Sequence, residues 1–247
     1  MGYAFYIILF GIMVFVTMKN VKMIMRYKHN GKYVDCYKAM MSEEDHAIGK
    51  INEYIAGEKN EEFAVKGKIL KIYALLSNGE YCLDDINELD IHSLAYKNGK
   101  VSKDMMFINS DSFVWIIMIM VKAKMLDKVG LLEAMHTKMM EYDDDLCGYV
   151  EFASVKNAYS ALCDKDDKGI VFFNRLLNGE YTDYLYDKNL IGLFKRMASS
   201  FLTYLKEDLD EYFRNDLYSF AQTLVGRTFL MDLGLYETYK PKDTEVQ

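Results

Sequence analysis

The sequence predicts an all-α protein in which one membrane-spanning helix precedes a stack or bundle of helical hairpins. Three observations support this fold class. Residues 3–18 form an uncharged, apolar segment that is followed at once by basic residues. The chain has a single proline, Pro241, whereas folds with many strands and tight turns use proline at turns and sheet edges. The chain also contains several stretches in which apolar residues recur at helical spacing, with helix-capping residues at their ends.

The N-terminal segment is about long enough to cross a membrane. A helix rises about 1.5 Å per residue, so crossing roughly 30 Å of hydrocarbon takes about 17 to 25 residues. The apolar character continues past Lys19 and Lys22, whose long side chains can reach the headgroups, so we predict a transmembrane region with its basic flank at residues 1–28. Membrane lipid is expected to contact residues 3–18. A cleaved signal peptide and a buried helix of a soluble domain are the alternatives.

Basic residues follow the apolar segment, and none precedes it in the sequence. Such residues stay on the cytoplasmic side of a membrane helix. We therefore expect a single-pass protein of the cell membrane with its large C-terminal part in the cytoplasm. The residues that indicate this topology are Lys19, Lys22, Arg26, Lys28 and Lys32. The four cysteines form no CxxC pair, which favours a reducing compartment over a secreted disulfide framework.

Composition predicts one folded α-helical domain at residues 29–240 and a polar tail at 241–247. Hydrophobic residues make up 51% of the chain and aromatic residues 14%, which is too much for a disordered chain. The formal net charge is -7 at pH 7. This acidity argues against nucleic acid as a partner, because phosphate binding needs clustered Lys and Arg, and these occur here only beside the apolar segment.

Helix signals follow one another along this domain. Residues 42–45 provide an N-cap and an acidic first turn for a helix that Gly57 ends. The next helix is expected at about residues 61–77, where Asn78 and Gly79 stop it. Ser110 and Asp111 then open a very apolar helix whose uncharged run is too short to cross a bilayer, so we expect it in the protein core.

The rest of the domain continues the same pattern. Residues 90–109 are the least helical part and are compatible with a loop or a small hairpin around Asn98 and Gly99. No linker rich in Ser, Gly or Pro divides the chain. Further helices are expected at about residues 128–142, 148–162, 169–178, 188–206, 209–224 and 228–233.

One short pattern occurs three times between helical stretches. It reads HNGKY at residues 29–33, SNGEY at 77–81 and LNGEY at 177–181. The glycine is expected to end a helix in the left-handed conformation, and the tyrosine to fill the groove between consecutive helices. The predicted helix-corner residues are Gly31, Tyr33, Gly79, Tyr81, Gly179 and Tyr181.

This corner resembles the helix-turn-helix corner of tetratricopeptide repeats, where a small residue follows the Gly-x-Tyr turn. The resemblance implies stacked helical hairpins whose extended faces suit peptides. This chain departs from the family at the small position, which is Cys36 in the first copy but Asp84 and Tyr184 in the others. Its copies are also about 48 and 100 residues apart rather than multiples of 34. A generic helical bundle or an irregular hairpin stack is the alternative.

No catalytic or metal-binding motif is complete in the sequence. HExxH, Walker, GxGxxG and GxSxG patterns do not occur. Acidic loops beginning at Asp143 and Asp164 resemble EF-hand loops but have no glutamate at the twelfth position. Glu133 and His136 have the spacing of a di-iron ligand pair, but no second such pair exists. We therefore predict no catalytic residue, metal ligand or cofactor.

These observations favour a membrane-anchored cytoplasmic domain that binds a protein partner or acts as a scaffold. One alternative is a membrane-associated enzyme whose active-site groups come from distant helices. Another is a structural subunit of a membrane complex, which packs through its apolar segment. The 17 methionines and 20 tyrosines suit either an adaptable peptide groove or ordinary core filling.

Overall fold

The computed structural model describes residues 26, 28–40, 46–163, 167–180 and 191–241. Within these residues the chain is mostly helical, which confirms the all-α class, and one small hairpin is its only strand structure. The predicted membrane segment at residues 3–18 lies outside the described residues. No helix in the described part is both long enough and apolar enough to cross a membrane.

The elements follow in chain order. They are α1 (28–40), α2 (Ala47–Gly57), α3 (Glu61–Ser77), α4 (Leu83–Asn87), α5 (His92–Ala95), β1 (Tyr96–Lys97), β2 (Lys100–Val101), α6 (Lys103–Ile108), α7 (Ser110–Met125), α8 (Val129–Met140), α9 (Asp143–Leu146), α10 (Val150–Leu162), α11 (Lys168–Asn178), α12 (Ile191–Tyr204), α13 (Glu211–Ala221), α14 (Leu224–Asp232) and α15 (Tyr236–Tyr239).

The chain divides into two compact units, Met1–Gly67 and Lys68–Gln247, and the division falls within α3. In the first unit the buried side chains include Tyr33 and Tyr37 on α1 and Ile51 on α2. A Cβ added to Gly67 would lie only 2.9 Å from Ile55 Cγ1, so glycine permits the start of α3 to approach α2 closely. The first unit is therefore a compact arrangement of α1, α2 and the first turns of α3.

Helix α7 forms the centre of the second unit. Residues 112–121 are all buried, as the sequence predicted for this apolar run. The helix packs against α6, α8, α10 and α14. From α10 onward each long helix packs on the next through α14, and α14 returns to contact α7. The second unit is thus a bundle built around one largely buried helix.

The β1–β2 hairpin confirms a local signal in the least helical part of the chain. Tyr96 pairs with Val101 in antiparallel register. Asn98 and Gly99 connect the strands, with φ angles of 53° and 72°. Asn-Gly is favoured there because both residues tolerate positive φ at low cost.

Candidate functional site

The structure places the predicted helix-corner residues in different environments. Gly79 and Gly179 have φ angles of 78° and 80° and follow the ends of α3 and α11, as expected. Gly31 instead lies inside α1, because residues 28–40 are helical throughout. Burial of Tyr33 and Tyr37 on one face of α1 outweighs the cost of an interior glycine, about 1 kcal/mol.

The corner tyrosines do not form a common site. Tyr33 is buried in the first unit, whereas Tyr81 is 72% exposed and fills no groove. Tyr181 lies outside the described residues. The repeated Gly-x-Tyr pattern therefore marks two helix ends, at Gly79 and Gly179, and its two described tyrosines lie in different environments.

The basic residues of the topology prediction are likewise divided. Lys19 and Lys22 lie outside the described residues. Arg26 forms an ion pair with Glu62, with Nη2 to Oε1 at 2.6 Å. Lys28 and Lys32 are exposed on α1, and Lys32 lines a cleft.

This cleft, of about 280 Å³, lies between α1 and α2 in the first unit. Cys36 Sγ approaches the Lys50 carbonyl oxygen at 3.8 Å, and His29 Nδ1 lies 2.7 Å from Glu58 Oε2. Residue numbers thus rise along α1 while they fall along α2, so the two walls are antiparallel. At about 30 Å³ per water molecule, the cleft has room for roughly nine waters.

Charged side chains of both signs line the walls of the cleft. Lys32 and Asp35 come from α1, and Lys50 and Glu53 come from α2. All four are exposed, and none of them makes an ion pair or a side-chain hydrogen bond within the part of the chain that the structure describes. These four residues, hereafter the cleft charges, are therefore available to a ligand.

The inner part of the cleft contains two neutral groups. Burial raises the pKa of the Cys36 thiol, an effect that nearby Lys50 opposes and Asp35 reinforces. Burial also raises the pKa of Tyr54, and neighbouring carboxylates add to this. The Tyr54 hydroxyl donates to the Phe63 carbonyl oxygen at 3.4 Å. A protonated thiol and phenol supply no activated nucleophile, so the arrangement is suited to binding rather than covalent chemistry.

Glu58, at the far end of the cleft, is held by hydrogen bonds. Burial acts to raise its pKa, but the Asn60 backbone N–H and the His29 ring outweigh this, so that the net pKa is lowered. Asn60 N donates to Oε1 at 2.8 Å. His29 also stacks on Phe63, with ring centroids 5.3 Å apart. Glu58 therefore fixes the end of α2 against α1.

Removal of the Glu58 charge should make the stability of the protein less dependent on pH. A carboxyl group with a lowered folded pKa stabilises the fold above its unfolded pKa, near 4.5, and this contribution is lost as pH falls through the lowered value. We expect Glu58→Gln to lower the free energy of unfolding at pH 7 and to approach wild type at acid pH. Guanidinium unfolding followed by circular dichroism measures the difference. Glu53→Gln, which removes a carboxylate of α2 that makes no ion pair with any described residue, should change little at either pH.

The second unit contains a buried polar network that the sequence did not indicate. Asp232 on α14 accepts hydrogen bonds from the Tyr73 hydroxyl and from Lys122 Nζ, each at 2.6 Å. The Tyr73 ring meets Trp115 edge to face at 5.0 Å, and Lys122 Nζ lies 5.1 Å from the centre of the same tyrosine ring. Burial raises the pKa of Asp232, while Lys122 and Tyr73 act against the rise. The network joins α3, α7 and α14 and satisfies its own polar groups.

The weaker sequence candidates that the structure describes make other contacts. His136 stacks on Tyr159, with ring centroids 3.8 Å apart. In the described ranges, no group of three or more His, Cys, Asp and Glu side chains is arranged to hold a metal ion. Asp143 is ion-paired with Lys156 at 2.9 Å. Asp164 lies outside the described residues.

No protein-family model, curated protein or solved structure matches this chain. The cleft between α1 and α2 is therefore identified as the candidate site from its geometry and charge. Sequence reasoning named Lys32 and Cys36 for other reasons but missed Asp35, Lys50 and Glu53. In the sequence, Lys32 precedes Asp35 by three residues and Lys50 precedes Glu53 by the same number. Only the antiparallel packing of the two helices shows that these side chains face one cleft.

Proposed function

We propose that this chain is a membrane-anchored helical protein whose cytoplasmic part binds a protein partner in the cleft between α1 and α2. The observation that carries the proposal is the set of four cleft charges, which make no ion pair within the described part of the chain. Several cations elsewhere are matched with nearby carboxylates, as in Arg26 with Glu62, Lys71 with Asp85 and Lys122 with Asp232. Unmatched charges of both signs around one concavity favour a partner that supplies the complementary charges.

The size of the cleft favours a protein over a large cofactor. Pockets for drug-sized ligands and cofactors usually enclose about 300 to 1,000 Å³ and are mostly apolar. This cleft, at about 280 Å³, lies just below that range, and five of its eight lining residues have charged side chains. A few side chains from a protein surface fit these properties. Complementary charges across such a surface mainly select the partner and its orientation, and they contribute less to affinity.

The position of the cleft in the chain supports recruitment at a membrane. Lys32 follows the end of the predicted membrane segment, Met18, by only about 14 residues. The exposed side chains of Lys28 and Lys32 add positive charge that anionic lipids attract. A partner bound in the cleft would thus be held close to the inner membrane surface.

Affinity capture with charge variants tests the binding proposal. The full-length chain, purified in detergent, serves as bait in native lysate, and captured proteins are identified by mass spectrometry. We expect a protein that wild type recovers and that Lys32→Ala/Glu53→Ala loses. The control, Lys59→Ala/Glu88→Ala, changes two exposed charges outside the cleft and should recover that protein normally. Equal recovery by both variants, or no protein above a scrambled bait, contradicts the proposal.

Membrane fractionation tests the anchor separately. After cell breakage and carbonate washing, the full-length protein is expected to remain with the membrane pellet. Protease added outside intact cells should leave the C-terminal part undigested, because we propose that it faces the cytoplasm. Recovery in the aqueous fraction would refute the anchor, and digestion from outside would refute the orientation.

A further inference from the structure

We infer that the partner of the α1–α2 cleft is a second copy of this chain, bound so that the two cleft faces meet around a two-fold axis. This inference rests on the proposed function, since it names the partner of the same site. It is carried by the arrangement of the four cleft charges, Lys32, Asp35, Lys50 and Glu53, which is complementary to itself.

The same charge order occurs on both walls. On α1, Lys32 precedes Asp35 by three residues, and on α2, Lys50 precedes Glu53 by three residues. Residues three apart lie on one face of a helix and about 4.5 Å apart along its axis. Each wall therefore presents one positive and one negative charge, roughly one turn apart, on the side that lines the cleft.

The antiparallel packing makes these charges alternate in two directions. Asp35 and Lys50 lie at one level of the cleft, where both act on the Cys36 thiol between the walls. Lys32 precedes this level by about one turn on α1, and Glu53 follows it by about one turn on α2, so these two share the next level. At each level, the α1 residue and the α2 residue therefore have opposite charges. The two residues along each wall also have opposite charges.

Such an alternating set pairs with a copy of itself. A two-fold axis parallel to the helices, in the plane between two facing copies, brings the α1 wall of one copy opposite the α2 wall of the other. Lys32 of one copy then faces Glu53 of the other, and Asp35 faces Lys50. The axis repeats each pairing, as an isologous interface requires. A cleft with charges of one sign would instead repel its copy.

The expected association is weak and sensitive to salt. Exposed ion pairs individually contribute little, and salt screens them over about 10 Å at 0.1 M. The role of these ion pairs is to fix how the two copies align with each other. Anchoring both copies in one membrane would raise their effective concentration and make a weak contact sufficient.

A charge swap tests the pairing directly. Sedimentation of the full-length protein in detergent gives the dimer dissociation constant. Lys32→Glu replaces two attractive contacts by two repulsive ones, so we expect dimerisation to weaken about tenfold or more. Lys32→Glu/Glu53→Lys restores opposite charges and should return to within about threefold of wild type, with a small cost from like charges one turn apart. Lys59→Glu, outside the cleft, should leave dimerisation unchanged.

Three results would overturn the inference: a monomeric wild type, a dimer that Lys32→Glu leaves intact, or a charge swap that restores nothing. Dimerisation through the apolar N-terminal segment would give the second result, because Lys32→Glu would leave that contact intact. If the protein is monomeric but captures a different protein that Lys32→Ala/Glu53→Ala loses, the proposed binding function stands and self-association is wrong. If wild type binds neither itself nor another protein, both fail.

Discussion

Asp232→Ala is expected to lower the free energy of unfolding by about 3 kcal/mol, the lower end of the range for breaking a buried charge pair. Alanine removes the acceptor of both the Tyr73 hydroxyl and the Lys122 ammonium group. The tyrosine is buried and cannot replace the carboxylate with bulk water. The Lys122 side chain is 22% exposed and can recover part of its hydration, which keeps the loss from being larger.

Guanidinium unfolding of the full-length protein measures this loss in the free energy of unfolding. Two further variants show which interaction causes it. Asp232→Asn retains an oxygen acceptor for Tyr73 but removes the charge, so its loss should be smaller. Asp216→Ala breaks an ion pair with Arg196 in which both side chains are about one third exposed, and it should cost less than about 1 kcal/mol. If Asp232→Ala costs no more than Asp216→Ala, the buried network does not hold the three helices together.

The contribution of Asp232 to the stability of the protein depends on pH with the opposite sign to the contribution of Glu58. Burial raises the pKa of Asp232 above 3.8 in the folded state, against the effects of Lys122 and Tyr73. A carboxyl group with a raised folded pKa contributes stability below its unfolded pKa, and this contribution is lost as pH rises through the folded value. The advantage of wild type over Asp232→Asn should therefore decrease as pH rises from below 3.8 through that window.

Elements specified by neighbouring residues could be predicted from the sequence. Helix α7 begins at Ser110, the predicted start, and the uncharged run after it is buried. Asn98 and Gly99 form the turn of the hairpin because both adopt positive φ there. In these cases the energetic preference lies within a few residues, through capping, turn chemistry and burial of an apolar run.

Features that depend on distant residues could not be predicted in this way. Tyr73 and Asp232 are 159 positions apart, and nothing near either residue indicates a partner. The cleft charges also become a site only when α1 and α2 pack side by side. At Gly31 a local stop signal was outweighed by the burial of Tyr33 and Tyr37, so the predicted corner is absent.

The beginning of α14 shows a local signal that the sequence reasoning overlooked. The sequence predicts this helix from about residue 228, but it spans Leu224–Asp232. Thr223 is its N-cap, and the Thr223 Oγ1 atom accepts a hydrogen bond from the Gly226 backbone N–H at 3.0 Å. Threonine in this position is a favoured cap. The cap fixes Gly226 in the first turn, next to the end of α13.

Gly226→Ala is expected to destabilise the protein by about 3 kcal/mol, the upper end of the usual cost of overpacking. A Cβ at this position would collide with the Phe220 carbonyl oxygen and would lie 2.5 Å from Phe220 Cδ2. The aromatic ring could rotate, but the backbone oxygen cannot move unless the connection between α13 and α14 opens. Such movement would also displace α14, which carries Asp232 into the buried network.

A second glycine-to-alanine substitution separates this collision from the general effect of alanine in a helix. Gly130 lies in the first turn of α8, and a Cβ there would have no neighbour within 4 Å. Gly130→Ala should therefore stabilise the protein by about 0.4 to 1 kcal/mol, because alanine restricts the unfolded chain more than glycine does. Chemical unfolding of both variants should give shifts of opposite sign. A stabilising or neutral Gly226→Ala would mean that the connection between α13 and α14 yields easily, and the close approach of Phe220 would then impose no requirement for glycine.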